Sequence, residues 1–165
     1  MPETEPTTFW EVLAATPVAA FVRENAWAYP LLETLHMLGL ALLVGGIVLF
    51  DLRLLGRSSE IPVRRLACHI LPWVWIGFAI NLATGALLFS SDAAEFAANA
   101  SFRVKIVLIA LAGINAAVFQ RFAFRDVESW DRGVAAPPRA RVLAMVSLVL
   151  WIGVVTAGRM MAYLK

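Results

Sequence analysis

Apolar residues gather into four long runs, and the polar positions inside those runs are few enough to name. In the first, from Trp27 to Phe50, only Glu33 and His36 can carry charge near neutral pH between Ala28 and Phe50. At about 1.5 Å per residue such a run covers the roughly 30 Å hydrocarbon core of a bilayer. Comparable runs follow at about 66–89, 104–122 and 142–164. The pattern predicts an all-α protein in which residues 27–165 form a single domain, a four-helix transmembrane bundle.

Residues 1–26 read differently. Pro2, Pro6 and acidic residues make 1–6 an expected frayed tail. Thr8-Phe-Trp-Glu11 then fits a capping box, in which the threonine side chain accepts from the Glu11 backbone N–H and the glutamate reaches back. A short helix is expected to start there, with Phe9, Trp10, Leu13 and Phe21 suited to a bilayer interface and Pro17 kinking or restarting it. The prediction is an N-terminal interfacial amphipathic helix, an anchor and not a span. No basic region followed by an apolar run opens the chain, so a cleavable signal peptide is not expected and the first span is expected to direct insertion.

Composition sharpens the class. With 61% apolar residues among 165 and a mean hydropathy of +0.76, a soluble domain is excluded and the lipid bilayer is the expected partner. The net charge of +2 comes from Lys and Arg gathered in loops, with no basic stripe interleaved with aromatics, so nucleic acid is not an expected partner. Arg53, Arg57, Arg64 and Arg65 in the first loop and Arg121, Arg125, Arg132, Arg139 and Arg141 in the third make nine of the 14 Lys and Arg. By the positive-inside rule both termini then face outward, which for a bacterial inner membrane is the periplasm. The single cysteine, Cys68, has no internal partner; it leaves the redox compartment undetermined and is read as a buried, inert thiol.

Polar groups inside the spans are costly, so each is expected to join helices or serve a function. Glu33 and His36 share a face, and Gly39 and Gly46 lie within roughly 80° of His36 on the helix. That glycine seam leaves room for a close neighbour, either a helix or a flat cofactor. Gly77, Asn81, Thr84 and Gly85 share a face of the second span, and Gly153, Thr156, Ala157 and Met160 a face of the fourth. With Lys105 and Arg159 at similar depth, one outer polar cluster is expected, with Glu33–Arg159 as its ion pair and Glu33, Asn81, Thr84 and Asn115 as its structural members. His69 sits near the opposite end of the second span, on the order of 10 Å from His36 along the membrane normal, too far for both to hold one iron. Met37, Met160 and Met161 lie at the depth of His36, and thioether with imidazole suits copper(I) or a His/Met haem. No nucleophile, carboxylate-pair or zinc-ligand signature supports a hydrolase.

The order of His36, Gly45-Gly46, the Asp51-Leu-Arg53-Leu-Leu corner, then Phe102-Arg-Val-Lys105 ahead of Asn115 and Arg121, resembles a group of small bacterial membrane proteins. The group comprises the copper-resistance D (CopD) membrane domain and the membrane protoporphyrinogen oxidase, a haem b protein. Tyr29-Pro30, His36, Asp51 to Arg53 and Gly158-Arg159 also resemble an uncharacterised bacterial four-span family of this length. The resemblance implies that His36 ligates haem b or a metal, and that Lys105 and Arg159 bind propionates or an anionic substrate. The second axial ligand is then Met160, Met161, His69 or none. The implied work is electron transfer between quinol and a periplasmic partner, by a homodimer or a subunit of a membrane complex. Copper binding or transport through His36, and a cofactor-free scaffold, are the alternatives.

Overall fold

The computed structural model describes residues 8–163. In chain order the helices are α1 (Phe9–Ala14), α2 (Pro17–Glu24), α3 (Ala28–Leu54), α4 (Val63–Ser91), α5 (Ala93–Ala98), α6 (Ala100–Val118) and α7 (Pro138–Met160). α6 runs on through a π-helical turn (Phe119–Ala123) and a 3-10 turn (Phe124–Ser129). Four helical stretches, 28–54, 63–91, 100–129 and 138–160, are long and apolar enough to cross a membrane. The chain is a multi-pass membrane protein and an all-α bundle, as its hydropathy predicts. The expected tail at 1–6 and the end of the fourth run at 164 lie outside the described residues.

Helices outrun the apolar runs at most ends, because hydropathy marks the bilayer whereas the i to i−4 ladder continues into the interface. α7 begins at Pro138, where a missing N–H costs nothing in the first turn. At the N-terminus the capping box forms: Thr8 N donates to Glu11 Oε2 (2.9 Å) and Glu11 N to Thr8 Oγ1 (3.3 Å). Pro17 restarts the chain as the first residue of α2, whose Ala19 and Val22 are buried. Phe9, Val12, Val18 and Phe21 stay exposed, an apolar outer face for the interface.

α3 packs along α4, α6 along α7, and α3 against α7, so the spans stand in the order α4, α3, α7, α6. No comparable packing joins α4 to α6. Glycine sets the α3–α4 contact. A Cβ on Gly77 would stand 2.7 Å from the Gly39 carbonyl oxygen and from Leu43 N, and one on Gly46 2.5 Å from Val74 Cγ2.

The two ends of the bundle are closed differently. At the end holding the start of α3, Arg23 Nη1 donates to the Ser91 carbonyl (3.0 Å), Phe89 stacks on Phe102 with centroids 5.0 Å apart, and Trp10 meets Phe89 edge-on. The stretch from Ser90 to Arg103, expected as a small polar loop, holds α5 and this aromatic cap. At the other end Arg53 is only 2% exposed. Its Nε donates to the Ile61 carbonyl (2.6 Å) and its Nη2 to those of Ser59 (3.0 Å) and Asp131 (3.1 Å). Asp131 also caps α4, its Oδ1 accepting from Arg64 N (2.8 Å). Arg53 is therefore a buried latch and not a water-facing member of a basic loop.

Candidate functional site

His36 projects from α3 onto the small face of α4, where a Cβ on Gly85 would lie 3.3 Å from its Cε1. Its Nδ1 is 2.9 Å from Thr84 Oγ1. The Thr84 hydroxyl is already committed as a donor to the Ile80 carbonyl (2.7 Å), so towards His36 its oxygen accepts. That assigns the proton of the neutral imidazole to Nδ1 and leaves Nε2 with a free lone pair, the state of a metal-ligating histidine whose other nitrogen is held by a hydrogen bond. Lys105 of α6 comes to the same region, its charge acting on His36. Its Nζ lies 3.6 Å from where a Gly158 Cβ would stand, so the absence of a side chain on α7 makes its berth. Among the described residues Lys105 has neither a hydrogen-bond nor an ion-pair partner.

Other expected members are placed elsewhere. Glu33 is exposed and makes no ion pair with Arg159; the ion pairs among the described residues are Arg64–Glu128 and Arg139–Asp126. Arg159 instead donates to the Tyr163 hydroxyl (3.0 Å) and lies over its ring. A ring four residues on, in the turn that follows α7, is a closer partner than a carboxylate across the bundle. Arg159 thus leaves Lys105 as the cation beside His36. Asn81 belongs to the helix crossing: its Nδ2 donates to the Gly77 carbonyl (2.9 Å), and a Cβ on Gly39 would meet it at 2.6 Å. The room in the seam is thus taken by α4. Asn115 is not in this cluster; its Nδ2 donates to the Leu143 carbonyl near the start of α7 (3.1 Å).

Met37 is 54% exposed and faces away, while Met160 and Met161 are half-buried. Thr156 is exposed, the buried line of α7 being Ala140, Ala144, Ser147, Trp151 and Val154. His69 is exposed, and its Nδ1 bonds the Arg65 carbonyl of its own helix (2.9 Å). It precedes Thr84, the partner of His36, by 15 positions on one helix, a rise of about 22 Å. The separation of the two histidines is roughly twice that expected from the sequence, because α3 and α4 pack in a register that sets His36 beside Thr84, fifteen positions along α4 from His69. Cys68, expected to be buried, is exposed.

A second feature lies about 22 Å further along α3. Asp51, read from the sequence as part of a membrane-exit corner, is 5% exposed. It lines a cavity of about 380 Å³ with Phe50, Phe78, Asn115, Ser147 and Trp151. Ser147 faces it from α7, but among the described residues Asp51 Oδ2 has no hydrogen-bond partner. The signal was a carboxylate inside an apolar helix, hidden by the neighbouring Arg53.

Comparison with known families finds a match over residues 26–164 to a model described as a family of unknown function, DUF6644. No curated protein and no solved structure matches the chain.

Proposed function

The chain belongs to the DUF6644 family, and we propose that it is a membrane haem protein in which His36 ligates a b-type haem for electron transfer. The observation that carries this reading is the Ile80–Thr84–His36 hydrogen-bond chain, which supports a bare Nε2 held in a fixed orientation. A porphyrin brings four nitrogen donors of its own, so one imidazole suffices. Copper would need a protein cage, and among the described residues no three His, Cys, Asp or Glu side chains converge. With Met37 turned outward, the donor set favours haem over copper. It also supports a single axial ligand from this chain, since His69 is remote.

The residues of the chain then divide the work. Thr84 fixes the tautomer and ring orientation of His36, and Lys105, a half-buried cation without a partner among the described residues, offers a charge-assisted bond to a propionate. The haem when bound supplies one-electron chemistry. Quinol as electron donor, a periplasmic acceptor, a homodimer, the bacterial inner membrane and outward-facing termini complete the proposal, which follows the resemblance to the CopD and protoporphyrinogen oxidase group.

The test is the visible spectrum of the detergent-purified chain, expressed with ample haem, oxidised and then reduced. A Soret band with b-type α and β bands on reduction is expected, and His36→Ala should lack it. Thr84→Val should keep the band but retain haem about ten- to a hundredfold more weakly, the usual effect of removing an outer-shell partner of a ligand. A colourless wild-type preparation would overturn the haem reading; bound copper in that preparation would then indicate metal transport, and its absence a scaffold.

A further inference from the structure

The Asp51 cavity has no part in the His36 site, and its construction points to an occupant. Three observations converge on it. The cavity lies between α4 and α6, two spans that meet at the Phe89–Phe102 stack near one end but pack little along their length, with Leu71, Val74 and Phe78 on one wall and Ile109, Ala112 and Ala116 on the other. Trp75 and Ala116, which also line it, are exposed on the outer surface of the bundle, so the entrance faces lipid. At its depth stands Asp51, with Oδ2 buried and unpartnered among the described residues. The third feature is the π-helical turn at Phe119–Ala123, whose Phe119, together with the adjoining Ala116 and Ala117, borders the cavity. Such turns widen a helix by one residue and recur at functional sites.

Each feature restricts the ligand. Lateral entry requires a molecule soluble in the bilayer. A volume of about 380 Å³ is in the range of pockets that hold a small ring compound. An acceptor oxygen without a donor calls for a hydroxyl and disfavours the phosphate or carboxylate of a lipid headgroup, which would set like charges together in a low dielectric. Phe50, Phe78, Phe119 and Trp151 supply aromatic walls. We propose that this cavity binds a lipid-soluble hydroquinone, one ring hydroxyl donating to Asp51 Oδ2 and the tail leaving between α4 and α6. Ser147 and Asn115 stand on the α7 and α6 sides as further polar contacts for the ring.

The proposal is tested on the full chain in lipid nanodiscs, by calorimetric titration with a decyl-substituted benzohydroquinone and with its dimethyl ether. These probes share ring and tail and differ in the O–H groups. Empty nanodiscs give the partitioning background. One saturable site per chain is expected, with the hydroquinone binding at least about tenfold more tightly than the ether, because a site built around a substrate hydroxyl rejects the analogue lacking it. Asp51→Asn should remove most of that difference, and Ala116→Trp should fill the entrance and abolish saturable binding of both. Equal affinity for hydroquinone and ether in the wild type overturns the proposal even if Asp51→Asn fails to fold. So does binding unchanged by Ala116→Trp, or a cleft found closed by a second copy of the chain. None of these readouts depends on haem, so this inference and the His36 reading fail separately.

Discussion

Replacing Arg53 by methionine is expected to lower the unfolding free energy by about 3–5 kcal/mol. Methionine keeps the apolar stem but leaves the carbonyls of Ile61, Ser59 and Asp131 without their donor, and a buried acceptor stripped of its partner costs about 1–3 kcal/mol. For a chain of this size the melting temperature in detergent should fall by roughly 10 °C. The loss should also be local in its consequences. Arg53 ties α3 to the α3–α4 loop and to the segment after α6, so proteolysis within 55–62 should accelerate before the spans separate. Arg53→Lys should recover less than half of the stability, since one ammonium cannot match the spread of a guanidinium over three acceptors. Arg64, whose pair with Glu128 is exposed on both sides, should be replaceable by methionine at a cost below about 1 kcal/mol. An Arg53→Met protein that melts within about 2 °C of the wild type would refute the latch.

Arg53 also shows where sequence reading stops. The four spans were legible because insertion depends on summed hydropathy, which a sequence carries additively. Aspartate and arginine at 51 and 53 were read by the same rule as a boundary, and there the rule misleads: α3 continues to Leu54 and both side chains turn inward. A charge at the end of an apolar run marks water only when nothing buries it, and burial depends on a partner segment remote in sequence, here Asp131. His36 and Thr84 were legible as neighbours because counting residues from the span ends fixes their depth, and depth fixes which side chains meet on adjacent helices. Asn115 lies outside the cluster because its depth is that of Leu143 near the start of α7, and Arg159 because a long side chain at a helix end has a local partner at i+4 that competes with any across the bundle. The capping box and the restart at Pro17 were readable since both are decided within four residues.

The largest effect in the membrane-buried part should come from Gly77. A Cβ there meets backbone atoms of α3 at 2.7 Å on two sides and Leu42 Cβ at 3.0 Å, and backbone cannot move aside as a side chain can. Gly77→Leu should therefore force α3 and α4 apart, costing about 3 kcal/mol or more, and Gly77→Ala about 1–3 kcal/mol. Gly45 is on the same helix pair but faces open space, with nothing within 4 Å of an added Cβ. Gly45→Ala should be neutral or stabilising by up to about 1 kcal/mol, the helix-propensity gain of alanine over glycine. The two alanine substitutions thus make the same chemical change with opposite signs, and denaturant titration in one detergent compares them directly. The separation also reaches His36, whose bond to Thr84 bridges the same two helices two turns away. Gly77→Ala should loosen that bond and, on the haem reading, weaken haem retention along with stability, whereas Gly45→Ala should leave both intact. Equal stability of the two variants would show that α3 and α4 do not meet at Gly77, and the fixed tautomer of His36 would lose its structural basis.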